Sequence, residues 1–225
     1  MILRILAIAM SVMAGLLPAR AQDAGAAYVV SYVEVAPWAQ HAALPLLRKL
    51  RETSRKEPGT AGFEVLQRIG QPLHFIILES WKDAKAQAAH AAATAAWRDE
   101  IKPNLIAPID ERAYGGYAVD PSNAVTTGAV YAVTHVDLIG AKKDEGLAAL
   151  KQLKLDSMKE TGLLLFNIWQ QNSRPNHVTL IEIWRGMAAL ERHEIADHTR
   201  KFREALLPMS GSLYDQRLYQ AMKEK

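Results

Sequence analysis

The sequence predicts an α+β protein: two tandem ferredoxin-like domains, each βαββαβ, packed sheet to sheet. Three observations predict it. The chain repeats itself at a fixed spacing. Each repeat reads strand, helix, strand, strand, helix, strand. The third strand of each repeat is apolar almost throughout, so both of its faces need cover.

The repeat appears when the sequence is slid by 103 residues, the separation of Val33 from Val136. Leu44, Leu47 and Leu50 then fall on Leu147, Leu150 and Leu153; Lys56, Glu57 and Gly59 on Lys159, Glu160 and Gly162. Phe63, Gln67, Pro72, His74, Glu79, Trp81 and His90 fall on Phe166, Gln170, Pro175, His177, Glu182, Trp184 and His193. Beyond His193 the offset grows by two residues, so that Thr94, Arg98, Pro103, Asp110, Arg112 and Tyr114 meet Thr199, Arg203, Pro208, Asp215, Arg217 and Tyr219. Such matching of rare Trp and His in one register marks duplication.

The elements of the first copy follow in order. Tyr28–Val35 is β-branched and aromatic, a strand. Pro37 can open a helix, and Leu44, Leu47 and Leu50 carry its apolar stripe over Trp38–Lys56 until Pro58-Gly59 ends it. Phe63–Ile69 is a second strand, Gly70-Gln71-Pro72 a tight turn and His74–Trp81 a third strand. Asp83 caps an Ala-rich helix reaching about Ile101, and Tyr114–Val119 is the last strand. The first domain spans 28–119, the turn-rich segment 120–128 is a linker and the second domain spans 129–222. Packing the two sheets face to face covers them within one chain, a pseudo-dimer.

Residues 1–21 read as an export signal: Arg4, an apolar run from Ile5 to Leu17, Pro18, and the small-x-small site Ala19-Arg20-Ala21. The run is shorter than a membrane span. The mature chain is expected to start at Gln22, to be periplasmic or secreted, and to have no membrane attachment. A retained anchor is the alternative. Cysteine is absent, which excludes disulfides, thiolate metal sites, iron–sulfur clusters and a cysteine nucleophile. Without Arg4 and Arg20, 25 basic residues face 24 acidic ones. No basic stripe with interleaved aromatics supports nucleic-acid binding.

The stretch Arg174-Pro175-Asn176-His177-Val178-Thr179-Leu180-Ile181-Glu182-Ile183-Trp184, followed nine residues later by His193, resembles the antibiotic biosynthesis monooxygenase (ABM) domain family. So do Gln71–Trp81 with His90, and Glu57-Pro58-Gly59-Thr60-Ala61-Gly62-Phe63. The resemblance covers both copies. It implies an intramolecular dimeric α+β barrel, a small aromatic substrate such as a quinol or related phenol, O2 as co-substrate, and no cofactor. The family also contains haem-degrading enzymes. Their Trp and His positions map here to His90 or His193 and to Glu100 or Arg203, so haem ligation is not expected. A binding or scaffold protein on the same fold is the alternative to an enzyme. Further pairing of whole chains stays open.

Cofactor-free oxygenation needs a base near neutral pH, an apolar aromatic slot and a donor to a developing oxygen anion. His193 and His198 are the leading base candidates; they lie five apart on one expected helix, so they share a face poorly. Asn167 and Trp169 alternate onto one strand face, an amide donor and an indole where the first copy has Glu64 and Leu66. Trp184 shares a face with Glu182, as Trp81 does with Glu79; core packing is the other reading of these residues. His90 matches His193. His135 and Asp137 share a strand face, either as a base with its orienter or as two polar residues facing solvent. The expected catalytic set is His193, His198, Asn167 and Trp184, with Trp169, Glu182, His135, Trp81 and His90 contacting substrate. Glu194 and His198 stand at i, i+4, but no further metal ligand is evident, so no metal is expected.

Overall fold

A computed structural model describes residues 25–120 and 128–222. The export signal at 1–21 and most of the linker lie outside the described residues. The first copy runs β1 (Ala27–Glu34), α1 (Gln40–Ser54), β2 (Thr60–Arg68), β3 (His74–Trp81), α2 (Ala84–Ala93), α3 (Ala95–Ile101) and β4 (Asp110–Ala118). The second runs β5 (Val130–Asp137), α4 (Lys143–Ser157), β6 (Leu163–Gln171), β7 (His177–Trp184), α5 (Met187–Glu194), α6 (Asp197–Leu206) and β8 (Asp215–Ala221).

Element bounds shift by up to a few residues from the sequence reading, and two of the differences have local reasons. The Ala-rich helix starts as expected, with Asp83 Oδ1 accepting the Ala86 N–H at 2.7 Å. It breaks at Thr94, whose backbone turns to φ −95, ψ 7 while its N–H and its Oγ1 both donate to the His90 carbonyl at 2.9 Å. The second copy breaks over Ile195 and Ala196, the two-residue expansion seen in the repeat. β4 begins at Asp110, ahead of the apolar residues that mark it, because charged Asp110 to Arg112 still pair with β1.

Each copy forms the sheet β4-β1-β3-β2 or its equivalent β8-β5-β7-β6. The two join at their edges, β2 to β8 and β4 to β6, and close one eight-stranded barrel. Edge pairing satisfies the backbone groups that open sheets would expose. The two copies therefore meet both face to face and edge to edge.

Strand alternation then creates two environments. Tyr28, Val30, Leu66, Ile76, Tyr131, Val133, Trp169 and Ile181 fill the barrel lumen. Val33, Phe63, Phe75, Ile77 and Trp81 pack outward under α1–α3, and Phe166, Ile168, Val178 and Leu180 under α4–α6. Gly59 and Gly162 turn the chain from helix to strand at φ +88 and +107, and a Cβ on either would stand 2.7–2.8 Å from Ala86 or Ala189. Only glycine meets both demands, which is why it recurs in each copy.

Candidate functional site

The predicted site residues divide between the two sides of the sheet. β6 and β7 pair Asn167 with Ile181, Trp169 with Thr179, and Phe166 with Glu182. Directly paired residues share a face, so Asn167 and Trp169 point into the lumen while Glu182 and Trp184 point toward the helices. The expected catalytic set of His193, His198, Asn167 and Trp184 is therefore not brought together, since Asn167 lies across the sheet from the others.

At one end of the lumen lies a cavity of about 170 Å³. It lies between the copies: equivalent Tyr28 and Tyr131 both line it, with Glu64, Leu78, Asn167 and Trp169. Trp169 stacks on Tyr28 at 4.8 Å between ring centres. Asn167 Oδ1 accepts the Asp120 N–H at 2.8 Å, which fixes the amide and leaves its NH2 as the donor end. Both Glu64 oxygens are held by Arg55 Nη2 at 2.5 Å. Burial nonetheless raises the Glu64 carboxyl above its ordinary range, against the pull of Arg55. Desolvation, with Glu64 next, also raises the Tyr131 hydroxyl, so it remains a donor at neutral pH. Two residues of this wall each bury a donor, Trp169 Nε1 and Tyr131 Oη, that has no hydrogen-bond partner among the described residues. Such groups carry a cost of about 1–3 kcal/mol each until something accepts from them.

The opposite end of the lumen carries a polar chain, which lines a second cavity of about 170 Å³. Thr179 Oγ1 donates to Tyr114 Oη at 3.0 Å and lies 2.9 Å from His135 Nδ1. His135 Nε2 meets the Tyr32 hydroxyl of the other copy. If Thr179 gives its proton to Tyr114, it accepts from His135 Nδ1–H, and Nε2 accepts from Tyr32. Arg112 and Arg217 each lie 5.3 Å from the Tyr32 ring centre and are clamped by Asp110 and Asp215. Desolvation first, then the two arginines, hold His135 down at about 4. His135 is thus a neutral lumen residue. The His135–Asp137 pair does not form, since Asp137 turns to His177 at 3.3 Å and to Asn176.

On the helix side, each copy builds the same buried cluster. His90 Nδ1 lies 3.0 Å from Glu57, its Nε2 lies 3.8 Å from Glu79, and Trp81 Nε1 donates to Glu79 at 2.8 Å. His193 Nδ1 lies 2.6 Å from Glu160, its Nε2 lies 3.6 Å from Glu182, and Trp184 Nε1 donates to Glu182 at 3.0 Å. Each imidazole lies 4.7 Å, centre to centre, from its Trp ring. Desolvation pushes Glu79 up to about 7 and Glu182 up to about 8, despite the Trp hydrogen bonds. Desolvation also lowers His90.

His198 is brought to this cluster by the α5–α6 break, its Nε2 lying 2.9 Å from Glu160 Oε1, which accepts. On a continuous helix it would sit apart from His193. Glu194 does not pair with His198; it is taken by Arg203 at 3.0 Å and Gln216 at 2.7 Å. Glu160 and Glu57 were visible in the repeat but not as cluster members. Tyr28, Tyr131 and Glu64 could have been found from the strand alternation that exposes Asn167 and Trp169 to the lumen.

The family model for antibiotic biosynthesis monooxygenase matches residues 26–99 and again 129–205. The Bacillus subtilis protein YcnE, whose monooxygenase name is provisional, is 32% identical over 60 residues, 27% of this chain and 63% of that protein. The match thus spans less than two thirds of that relative's length. A Fusobacterium nucleatum structure superposes with a TM-score of 0.80 at 16% identity, covering 89% of this chain and 94% of that one. The structure of an anthrone oxidase-like protein superposes at 0.66 with 11% identity, covering 90% and 93%. At such identities the likeness is one of fold, and it extends over both copies.

Proposed function

The chain belongs to the antibiotic biosynthesis monooxygenase family, and from that premise we propose that it oxidises a quinol or related phenol with O2 in the lumen cavity, without a cofactor. The observation that carries this reading is a mostly apolar cavity between the copies whose lining residues Trp169 and Tyr131 each bury a donor, Nε1 and Oη, without a partner among the described residues. A phenolic oxygen satisfies them, and it does so best as an anion, which hydrogen-bond donors favour.

The chemistry fits the side chains. Asn167 and the two donors hold one oxygen of the ring, and Glu64 accepts the proton of a hydroxyl. The resulting electron-rich anion reduces O2. One oxygen atom enters the ring and the other leaves as water, so that a hydroquinone and one O2 give a hydroxyquinone and one water. The ring loses two hydrogens in all and gains one oxygen, and the substrate supplies all the electrons.

One observation favours a second reading, a binding protein without turnover: Glu64 is held by Arg55 and must loosen to take a proton. Export to the periplasm or outside the cell belongs to the proposal, supported by the signal-like residues 1–21. The test is oxygen uptake by the mature chain, free of added metal or flavin, across a panel of hydroquinones. Uptake matched one to one by product supports the enzyme. Binding without uptake on any member establishes the second reading instead.

A further inference from the structure

We propose that Glu160, His193 and His198 form a binding site for a divalent transition-metal ion, across the sheet from the lumen cavity. The ligand atoms are one carboxylate oxygen and two imidazole nitrogens, all within 4.8 Å of one another. They come from three segments: the turn after α4, α5, and the first turn of α6. Two imidazoles and a carboxylate, with no thiolate, suit zinc and its first-row neighbours and leave a coordination position open for water.

The support around these ligands points the same way. His193 presents Nδ1 to Glu160, and its other nitrogen faces Glu182 at 3.6 Å. A carboxylate behind a metal-bound imidazole fixes the ring and raises its basicity. Glu182 is fully buried, is anchored by Trp184, and its Oε1 has no partner among the described residues. Access is open from the other side, where the His198 and Glu160 side chains are 24% and 18% exposed.

At present the Glu160 oxygen stands 2.6 and 2.9 Å from the two nitrogens, at hydrogen-bond distance. Around a tetrahedral zinc with bonds of about 2.0–2.1 Å, ligand atoms stand roughly 3.3 Å apart. An ion therefore replaces the shared protons and moves the Glu160 oxygen away from the two nitrogens by about half an ångström, releasing protons as it binds. Thr199 Oγ1, 3.3 Å from His193 Nδ1, is the contact that yields.

The first copy supplies an internal control. It keeps Glu57, His90, Glu79 and Trp81 in the same arrangement. Ala93 occupies the sequence position of His198, so that cluster offers two ligands and not three.

The experiment is titration of the mature chain with Zn2+ by calorimetry and with Co2+ by visible absorption. One ion per chain is expected, with a d–d spectrum typical of low coordination number. His198→Ala, at a partly exposed position, is expected to weaken binding at least tenfold, and Glu160→Gln likewise, while Glu57→Gln in the first copy leaves it unchanged. Absence of Co2+ or Zn2+ binding to the wild-type chain at millimolar metal overturns the proposal without recourse to any variant. So does full affinity retained in both His198→Ala and Glu160→Gln, with folding verified by near-ultraviolet circular dichroism.

Discussion

Replacing Glu182 by Gln removes a buried acid while keeping its shape and its ability to accept from Trp184. In the fold, desolvation pushes this carboxyl from 4.5 up to about 8. In the unfolded chain it returns to its ordinary value. The unfolded state therefore ionises first as pH rises, and the native state loses stability from about pH 4.5 until Glu182 itself ionises near 8. The stabilising, protonated form is fully present below 4.5. Each tenfold change in proton affinity is worth about 1.4 kcal/mol, so the loss reaches roughly 3 kcal/mol by pH 7 and 4–5 kcal/mol by pH 8. Glutamine does not titrate. Urea denaturation of wild type and Glu182→Gln in chelator, at pH 5 and pH 8, should show nearly equal stability at the lower pH. At the higher pH the variant should be the more stable by several kcal/mol. A gap that does not change with pH, or one that favours the wild type more as pH rises, refutes the claim that this carboxyl is held neutral by burial.

At acid pH the lumen histidine acts in the opposite sense. Because His135 is held down at about 4, stability is lost as pH falls from about 6.5 through 4, by about 3 kcal/mol, and His135→Gln should flatten that limb of the urea midpoint. Trp169→Leu, which gives the second copy the residue of the first, removes the Tyr28 stack and an indole donor; hydroquinone affinity measured by calorimetry should fall at least tenfold. Gly146→Ala would set a Cβ 2.4 Å from Leu138 Cδ2, and thermal unfolding should show a loss of about 1–3 kcal/mol from overpacking. Leu47→Ala, at a fully buried helix position, should cost about 2–5 kcal/mol by the same assay.

The fold was legible because duplication prints every element twice. His74–Trp81 was bounded correctly by its apolar run and its flanking turn, and Asp83 by its capping chemistry. The helix break at Thr94 was harder to read, because a threonine bonded to the i−4 carbonyl resembles any other helical threonine until its backbone turns. The candidate site was only half legible. Alternation along one strand correctly grouped Asn167 with Trp169 and Glu182 with Trp184. Which group faces the lumen depends on which side of the sheet the helices cover, and that is a tertiary arrangement. His193 and His198 are a further case. Their spacing on a continuous helix argues against contact, and only the break over Ile195 and Ala196 brings both to Glu160.

The placement of the substrate in the lumen between the two copies is the claim on which the rest depends. It is tested most directly by determining the structure of the mature chain with a hydroquinone bound under anaerobic conditions. The expected result is a ring in the cavity bounded by Tyr28, Tyr131 and Trp169, with an oxygen within hydrogen-bond reach of Trp169 Nε1 or Tyr131 Oη. A ring bound instead among the helices, beside Trp184 and His193, contradicts it.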